Sequence, residues 1–246
     1  MTTNSQSFEY HRWHSPEYVE SWATRATTEA SRRPLRKKLV SLLPFERAAI
    51  IRVLDVATGA GALSLEILSA YPNARVVCHD YSEAMLTRAR QELAQFSKQV
   101  VFVKSDLLEP MWTQVIEGTF DAVVSSFALH DLTKRVKEIF GEVFALVKPG
   151  GCFLNCDYVA PPGPVLEVAY FKAELTTHQA TIKKEMGVDK SYEELEKEFH
   201  DRQHRLLSPP TITNELEWLV QAGFNEVDCL WKDMRRAILG GFKHDR

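Results

Sequence analysis

Short apolar runs alternate along this chain with stretches whose apolar positions recur every three or four residues. Residues 51–57 (IRVLDVA), 74–80 (ARVVCHD), 100–106 (VVFVKSD), 120–127 (FDAVVSSF) and 152–159 (CFLNCDYV) are near-continuous in Val, Ile, Leu and Phe. Runs of that length predict strands covered on both faces, as in a parallel sheet. Between them lie helical stripes. Met85, Ala89, Leu93 and Phe96 share a face behind Ser82, which reads as an N-cap. Leu132, Val136, Ile139, Phe140, Val143 and Val147 form a second stripe, stopped by Lys148-Pro149-Gly150-Gly151. Strand and helix alternate about five times, which predicts βαβ units and a doubly wound α/β fold. Near the end, residues 224–232 and 235–242 read as an antiparallel hairpin turning at Asp233-Met234. A helix from Asn214, with capping-box spacing to Glu217, leads into it.

Two segments stand outside the alternation. Residues 1–45 read as a helical cap rich in aromatic side chains. Residues 161–212 interrupt the pattern after the fifth strand, with Tyr192, Leu195, Phe199 and Leu206 in a helical stripe. An insertion there is expected to hang over the C-terminal edge of the sheet, where such folds bind ligands, so it reads as a helical lid. The chain of 246 residues is thus expected to be a single domain, 1–246.

Composition narrows the class. A net charge of −3 provides no global field toward nucleic acid or an anionic membrane. Arg25, Arg32, Arg33, Arg36, Lys37 and Lys38 crowd one stretch, read as a solvated helix face in preference to a phosphate-contacting patch. Cys78, Cys152, Cys156 and Cys229 lie in predicted strands without metal-ligand spacing, so they read as packing residues in a reducing compartment, with no metal expected. The N-terminus has no apolar leader and no run is long enough to span a bilayer, so a cytoplasmic protein is expected.

The chemistry-bearing stretch is Asp55-Val-Ala-Thr-Gly59-Ala-Gly61, where a strand ends, the chain turns on glycines and a helix starts. Gly59 permits unusual backbone angles, and Gly61 is read as the place where a ligand touches backbone. The third glycine of the dinucleotide pattern is replaced by Ser64, and Asp55 precedes the first glycine by four residues. A carboxylate there poorly suits a pyrophosphate but suits a ligand with a cationic amino group. Asp80 ends the second strand, where a carboxylate can accept both hydroxyls of an unphosphorylated ribose; the plainer reading is a helix-start Asp. Tyr81 is placed to lie against a purine face. Asp106, in Ser105-Asp106-Leu107, can accept the exocyclic amine of adenine.

Taken together, VLDVATGAG, Asp80, the SDL of residues 105–107, FDAVVSSFALHDL, LVKPGG and the closing AGF with its hairpin resemble the class I S-adenosylmethionine (SAM)-dependent methyltransferases. The resemblance covers roughly residues 39–243 apart from the insertion, and leans to the small-molecule branch. It is also similar to carboxy-SAM synthases of tRNA modification. It implies a mostly parallel, seven-stranded Rossmann-like sheet with one antiparallel strand from the C-terminal hairpin. It further implies SAM as cofactor, with Gly59 and Gly61 at the methionine moiety, Asp80 at ribose, Asp106 at adenine and Ser125 to Phe127 lining the methyl side. The segment Ser125-Ser126-Phe127 is not of the NPPY type, which argues against methylation of nucleic-acid bases and protein glutamines.

His130, after the fourth strand with Asp131 beside it, is the candidate general base; the alternative is a helix-capping or pocket-lining histidine. Glu167, Phe171, Glu174 and His178 share one helix face of the insertion, read either as an acceptor-facing wall or as an ordinary surface. Phe8, Tyr10, His11, Trp13, His14, Tyr18 and Trp22 crowd the N-terminus, and Ser15-Pro16 predicts a helix start. Tyr10, His11, Trp13 and His14 are expected to close over the cofactor mouth, while the helix carrying Tyr18 and Trp22 covers a sheet face. The expected function is methyl transfer to a small-molecule acceptor by a monomer or homodimer. A tRNA-linked enzyme, by methylation or carboxy-SAM synthesis, and a catalytically silent SAM-binding regulator are the alternatives.

Overall fold

The computed structural model describes residues 12–23, 26–132, 134–203 and 209–244. The apolar runs form β1 (Arg52–Val56), β2 (Arg75–Asp80), β3 (Val100–Lys104), β4 (Phe120–Ser126) and β5 (Val147–Tyr158), and the hairpin forms β6 (Asn225–Asp233) and β7 (Arg236–Phe242). They make one seven-stranded sheet in the order β3-β2-β1-β4-β5-β7-β6. β1 to β5 run parallel, and β7 pairs antiparallel with both β5 and β6. The helices are α1 (Pro16–Ala23), α2 (Ala26–Ser41), α3 (Ala62–Ala70), α4 (Glu83–Glu92), α5 (Val136–Leu146), α6 (Pro164–Met186), α7 (Tyr192–Gln203) and α8 (Ile212–Ala222).

Alternate residues of each central strand enter opposite layers. Leu54, Val56 and Val123 join Ile139, Phe140 and Val143 of α5 and Leu219 of α8. Val53, Ala122 and Val124 join Leu39 of α2 and Leu63 and Ile67 of α3. Because both layers are filled, the strands carry apolar side chains at successive positions rather than alternating ones. Cys78, Cys152 and Cys156 are free thiols buried in the second layer, pushed up to about 12 by burial, so they act there as small apolar residues.

Several boundaries differ from the sequence reading. α8 begins at Ile212, two residues earlier than Asn214 suggests, because Thr211 is the N-cap. Its side chain accepts from the Asn214 N–H, and the Asn214 side chain answers the Thr211 backbone. Lys148-Pro149-Gly150-Gly151 lies within β5, where the register jumps between Phe120/Val147 and Ala122/Cys152. The hairpin turns at Met234-Arg235, with Met234 at φ 49°.

The N-terminal helix is corrected more substantially. Ser15 caps α1 as expected, accepting from the Tyr18 N–H at 3.2 Å. Yet α1 packs on α4 and not on a sheet face, burying Val19 and leaving Trp22 at the C-terminal edge of the sheet. In the insertion, α6 and α7 form a helical pair with a small core of Leu175, Ile182 and Leu195, joined by Phe171 and Tyr192. Leu206 and the side chain of Phe199 fall outside the described residues. The pair leans on the β6–β7 hairpin: Lys232 donates to the Tyr170 hydroxyl at 2.9 Å, and Arg235 lies 3.8 Å from Glu167 and 4.0 Å from Glu174.

Candidate functional site

A cavity of about 370 Å³ opens where β1, β2 and β4 end, beneath α1 and α2. Its floor is the turn after β1. Ala57 and Gly59 take left-handed backbone angles, φ 55° and 56°. The Thr58 and Ser64 hydroxyls both donate to one oxygen of Asp55, at 2.7 and 2.6 Å. Asp55 is 1 % exposed, its other oxygen has no partner, and burial pushes its carboxyl up to about 6 against those two hydrogen bonds. It therefore sits beneath the turn as a strut and does not line the cavity.

Asp80 is the floor's carboxylate. It accepts the Gly59 N–H at 2.9 Å on one oxygen and the Ser82 N–H at 2.9 Å on the other, and it lines the cavity. Burial raises its carboxyl to about 6, with the backbone N–H groups working the other way. Each oxygen keeps a second lone pair for a ligand hydroxyl. Ser82 also caps α4, accepting from the Met85 N–H at 3.1 Å, so the helix-start role and the ligand-facing role coexist in one turn. The glycines divide their work. Gly59 lines the cavity, and a Cβ there would meet nothing within 4 Å. Gly61 faces α4: a Cβ there would lie 3.1 Å from Leu93 and 3.2 Å from Ala89. Its missing side chain thus serves helix packing, correcting the expectation of close ligand approach.

His79 was not singled out by sequence. Its Nδ1 accepts the Ala57 N–H at 3.5 Å, which leaves Nε2–H to donate to Ser105 Oγ at 2.9 Å, and Ser105 donates on to the Trp112 carbonyl at 3.0 Å. Burial lowers this imidazole to about 4, so it stays neutral and ties the β1 turn to the end of β3. Ser105, Leu107 and Tyr81 line the cavity; Asp106 does not, and one of its oxygens accepts the Leu108 N–H at 2.8 Å. Ser125 is buried behind the wall, donating to the Val56 carbonyl at 2.9 Å. Phe127, at φ 55°, turns its ring into the cavity.

His130 stands one layer behind Asp131, which lines the cavity. Its Nδ1 is 2.6 Å from Asp157 Oδ1 and its backbone N–H donates to the other Asp157 oxygen at 3.0 Å. Its Nε2 is 3.4 Å from Asp131. Burial works against a charged ring, but Asp157 and then Asp131 outweigh it and raise this imidazole above its ordinary value.

The N-terminal wall brings Trp13, Trp22, Arg32, Arg33 and Arg36 to the cavity. Trp13 meets Tyr18 and Trp22 edge-on at 5.1 and 5.4 Å, and its carbonyl accepts from the Ser82 hydroxyl. His14 is exposed, 5.0 Å from the Tyr81 ring. Tyr10 and His11 lie outside the described residues. The basic run is divided: Lys37 and Lys38 are exposed, whereas Arg36 is 5 % exposed and Arg32 half-buried, so a wholly solvated face is not what forms. Phe171, Glu174 and His178 do not line the cavity; Phe171 joins the insertion's own core, Glu174 approaches Arg235 and His178 is exposed. Among the described residues, no group of three or more His, Cys, Asp or Glu is placed to hold a metal ion.

Residues 53–151 match the family described as a methyltransferase domain. Over that segment the chain is similar to SAM-dependent methyltransferases. It is 31% identical over 121 residues to a ubiquinone/menaquinone biosynthesis C-methyltransferase UbiE of Cereibacter sphaeroides, covering 48% of this chain and 47% of that one. The chain thus spans about half the length of such curated relatives. The fold is shared with an O-methyltransferase family protein from Burkholderia thailandensis, at TM-score 0.67 and 16% identity over 96% of this chain and 62% of that one. It is also shared with human N-acetylserotonin methyltransferase in complex with SAM, at TM-score 0.61 and 17% identity over 100% of this chain and 61% of that one. Asp55, the glycines, Asp80, Asp106, Phe127 and His130 all fall inside the matched methyltransferase segment. Trp13, Trp22 and the arginines of α2 fall outside it.

Proposed function

We propose that this methyltransferase binds SAM in the cavity at the strand ends and transfers its methyl group to a small-molecule acceptor. The observation that carries the reading is the Asp80 carboxylate, buried at the cavity floor and locked by the Gly59 and Ser82 N–H groups. The donor set fits the cofactor. Asp80 offers acceptors to ribose hydroxyls, Tyr81 and Leu107 offer apolar surface to a purine, and Glu66 with Arg33 and Arg36 offers both charges to an amino-acid zwitterion. When bound, SAM supplies an electrophilic methyl group on a cationic sulfonium.

The chain's own contribution is to bind, orient and exclude water. Trp13, Trp22 and Phe127 bring aromatic side chains to the methyl side. A row of Asp131, His130 and Asp157 provides a proton acceptor for a hydroxyl or amine acceptor: Asp131 meets the cavity, and His130, held by Asp157, stands next in line. A cytoplasmic setting belongs to this reading, since all four cysteines are free. Among the described residues, no helix is long and apolar enough to cross a membrane. The test is incubation of the purified protein with methyl-labelled SAM and, in parallel, fractionated small-molecule extracts or total tRNA. Labelled product together with S-adenosylhomocysteine (SAH) is expected. Labelled tRNA, or formation of carboxy-SAM, would replace this reading with a tRNA-linked one.

A further inference from the structure

We propose that the methyl acceptor is a flat, apolar molecule bearing a carboxylate, and that Arg32 receives that carboxylate. The inference rests on the methyl-transfer reading and names its substrate class. The Arg32 guanidinium lies 4.6 Å from the centroid of Phe127 and 5.7 Å from that of Trp22, and it lines the cavity. Two other arginines of the wall have acidic partners: Arg33 bonds Glu66 at 2.8 Å, and Arg88 lies 3.9 Å from Glu92. Among the described residues, Arg32 has ring contacts but no carboxylate or hydrogen-bond acceptor for its N–H groups. A guanidinium packed by its face against rings presents its donors at the edge, and that planar fork matches a carboxylate bidentately.

Its place in the cavity separates this cation from the cofactor. Phe127 follows β4, on the side of Asp131, whereas Arg33 reaches Glu66 of α3, on the side of the β1 turn. Arg32 thus stands on the Phe127 side of the cavity, framed by aromatic rings that suit a flat body. Such a placement puts the carboxylate on Arg32 and leaves a hydroxyl or amine elsewhere on the acceptor free to turn toward Asp131.

The test uses the full chain loaded with SAH. 4-Hydroxybenzoate and indole-3-acetate are compared with their primary amides by ligand-observed NMR and calorimetry. At least one acid is expected to bind about tenfold or more tightly than its amide, the scale of a charge-assisted pair. Arg32→Gln should remove that preference while SAH affinity stays within about twofold, and Arg32→Lys should retain part of it. The proposal is overturned if neither acid is preferred to its amide, or if the acid binds Arg32→Gln undiminished. A parallel loss of SAH affinity in Arg32→Gln overturns it as well, by placing Arg32 at the cofactor. If the wild-type protein fails to bind SAH at all, the methyl-transfer reading falls first.

Discussion

Replacing each glycine of the β1 turn with alanine should produce two different defects. At Gly61 the backbone is left-handed at φ 84°, and a new Cβ meets Leu93 at 3.1 Å and Ala89 at 3.2 Å. Both neighbours are fully buried, so each must give by a few tenths of an ångström within a packed layer. The left-handed angle costs about 1–2 kcal/mol for a residue with a Cβ, and overpacking adds about 1–3 kcal/mol, so Gly61→Ala should lose roughly 2–5 kcal/mol. At Gly59 the angle is similar, φ 56°, but the Cβ meets nothing within 4 Å. Only the conformational cost of about 1–2 kcal/mol applies to Gly59→Ala. That Cβ does, however, enter a wall of the cavity, so SAH affinity should fall by about tenfold, or roughly 1.4 kcal/mol. The assay is urea unfolding of both variants, followed by SAH calorimetry on each below its unfolding transition. A crossed result is expected, with Gly61→Ala the less stable and Gly59→Ala the weaker binder. Equal stabilities for the two variants would refute the packing argument.

Three further outcomes follow from the buried acids, the histidine row and the N-terminal wall. The folded pKa of Asp55 is raised to about 6, so its contribution to stability is complete below the ordinary carboxylate range and is lost as pH rises through that value. Asp55→Asn should therefore gain on the wild type by up to about 3 kcal/mol between pH 4 and pH 8 in denaturant unfolding; a pH-independent difference would count against a buried, late-ionising carboxyl. Asp157→Asn should lower the NMR titration midpoint of His130, shift the acid limb of kcat to lower pH and cost about tenfold or more in turnover, whereas an unmoved midpoint would detach Asp157 from that ring. Because Trp13 lines the cavity, SAH should slow proteolysis within residues 1–14, and identical rates with and without SAH would leave the segment a packing role.

The sheet was legible because strands covered on both faces read as apolar runs, as in β1 and β4 and the second half of β5; β3 reads the same way although it is an edge strand with Val101 59% exposed. The turn after β1 was legible because only glycine tolerates the angles at residues 59 and 61 without strain. What each glycine faces was not legible, since that depends on how α4 packs against α3. Arg32 and Arg36 were hidden by the charges around them. A usable sign was present: Arg32, Arg36 and Leu39 fall at spacings of 4 and 3, so the two arginines share the face of α2 that carries buried Leu39. His79 looks like any strand residue until β1, β2 and β3 are side by side. The insertion sits at the right place in the chain for a lid, but its Glu167 and Glu174 are drawn to Arg235 at the hairpin tip, an attraction that only the antiparallel pairing of β7 with β5 makes possible.

Calorimetry of SAH binding to the wild-type protein and to Asp80→Ala tests the central claim most directly. Loss of a charged hydrogen-bond partner should weaken SAH by about 1.5–3 kcal/mol, roughly 10- to 150-fold, with the variant still folded and NAD binding neither protein comparably. Equal SAH affinity in the two proteins, or NAD bound as tightly as SAH, would contradict the assignment of this cavity to SAM.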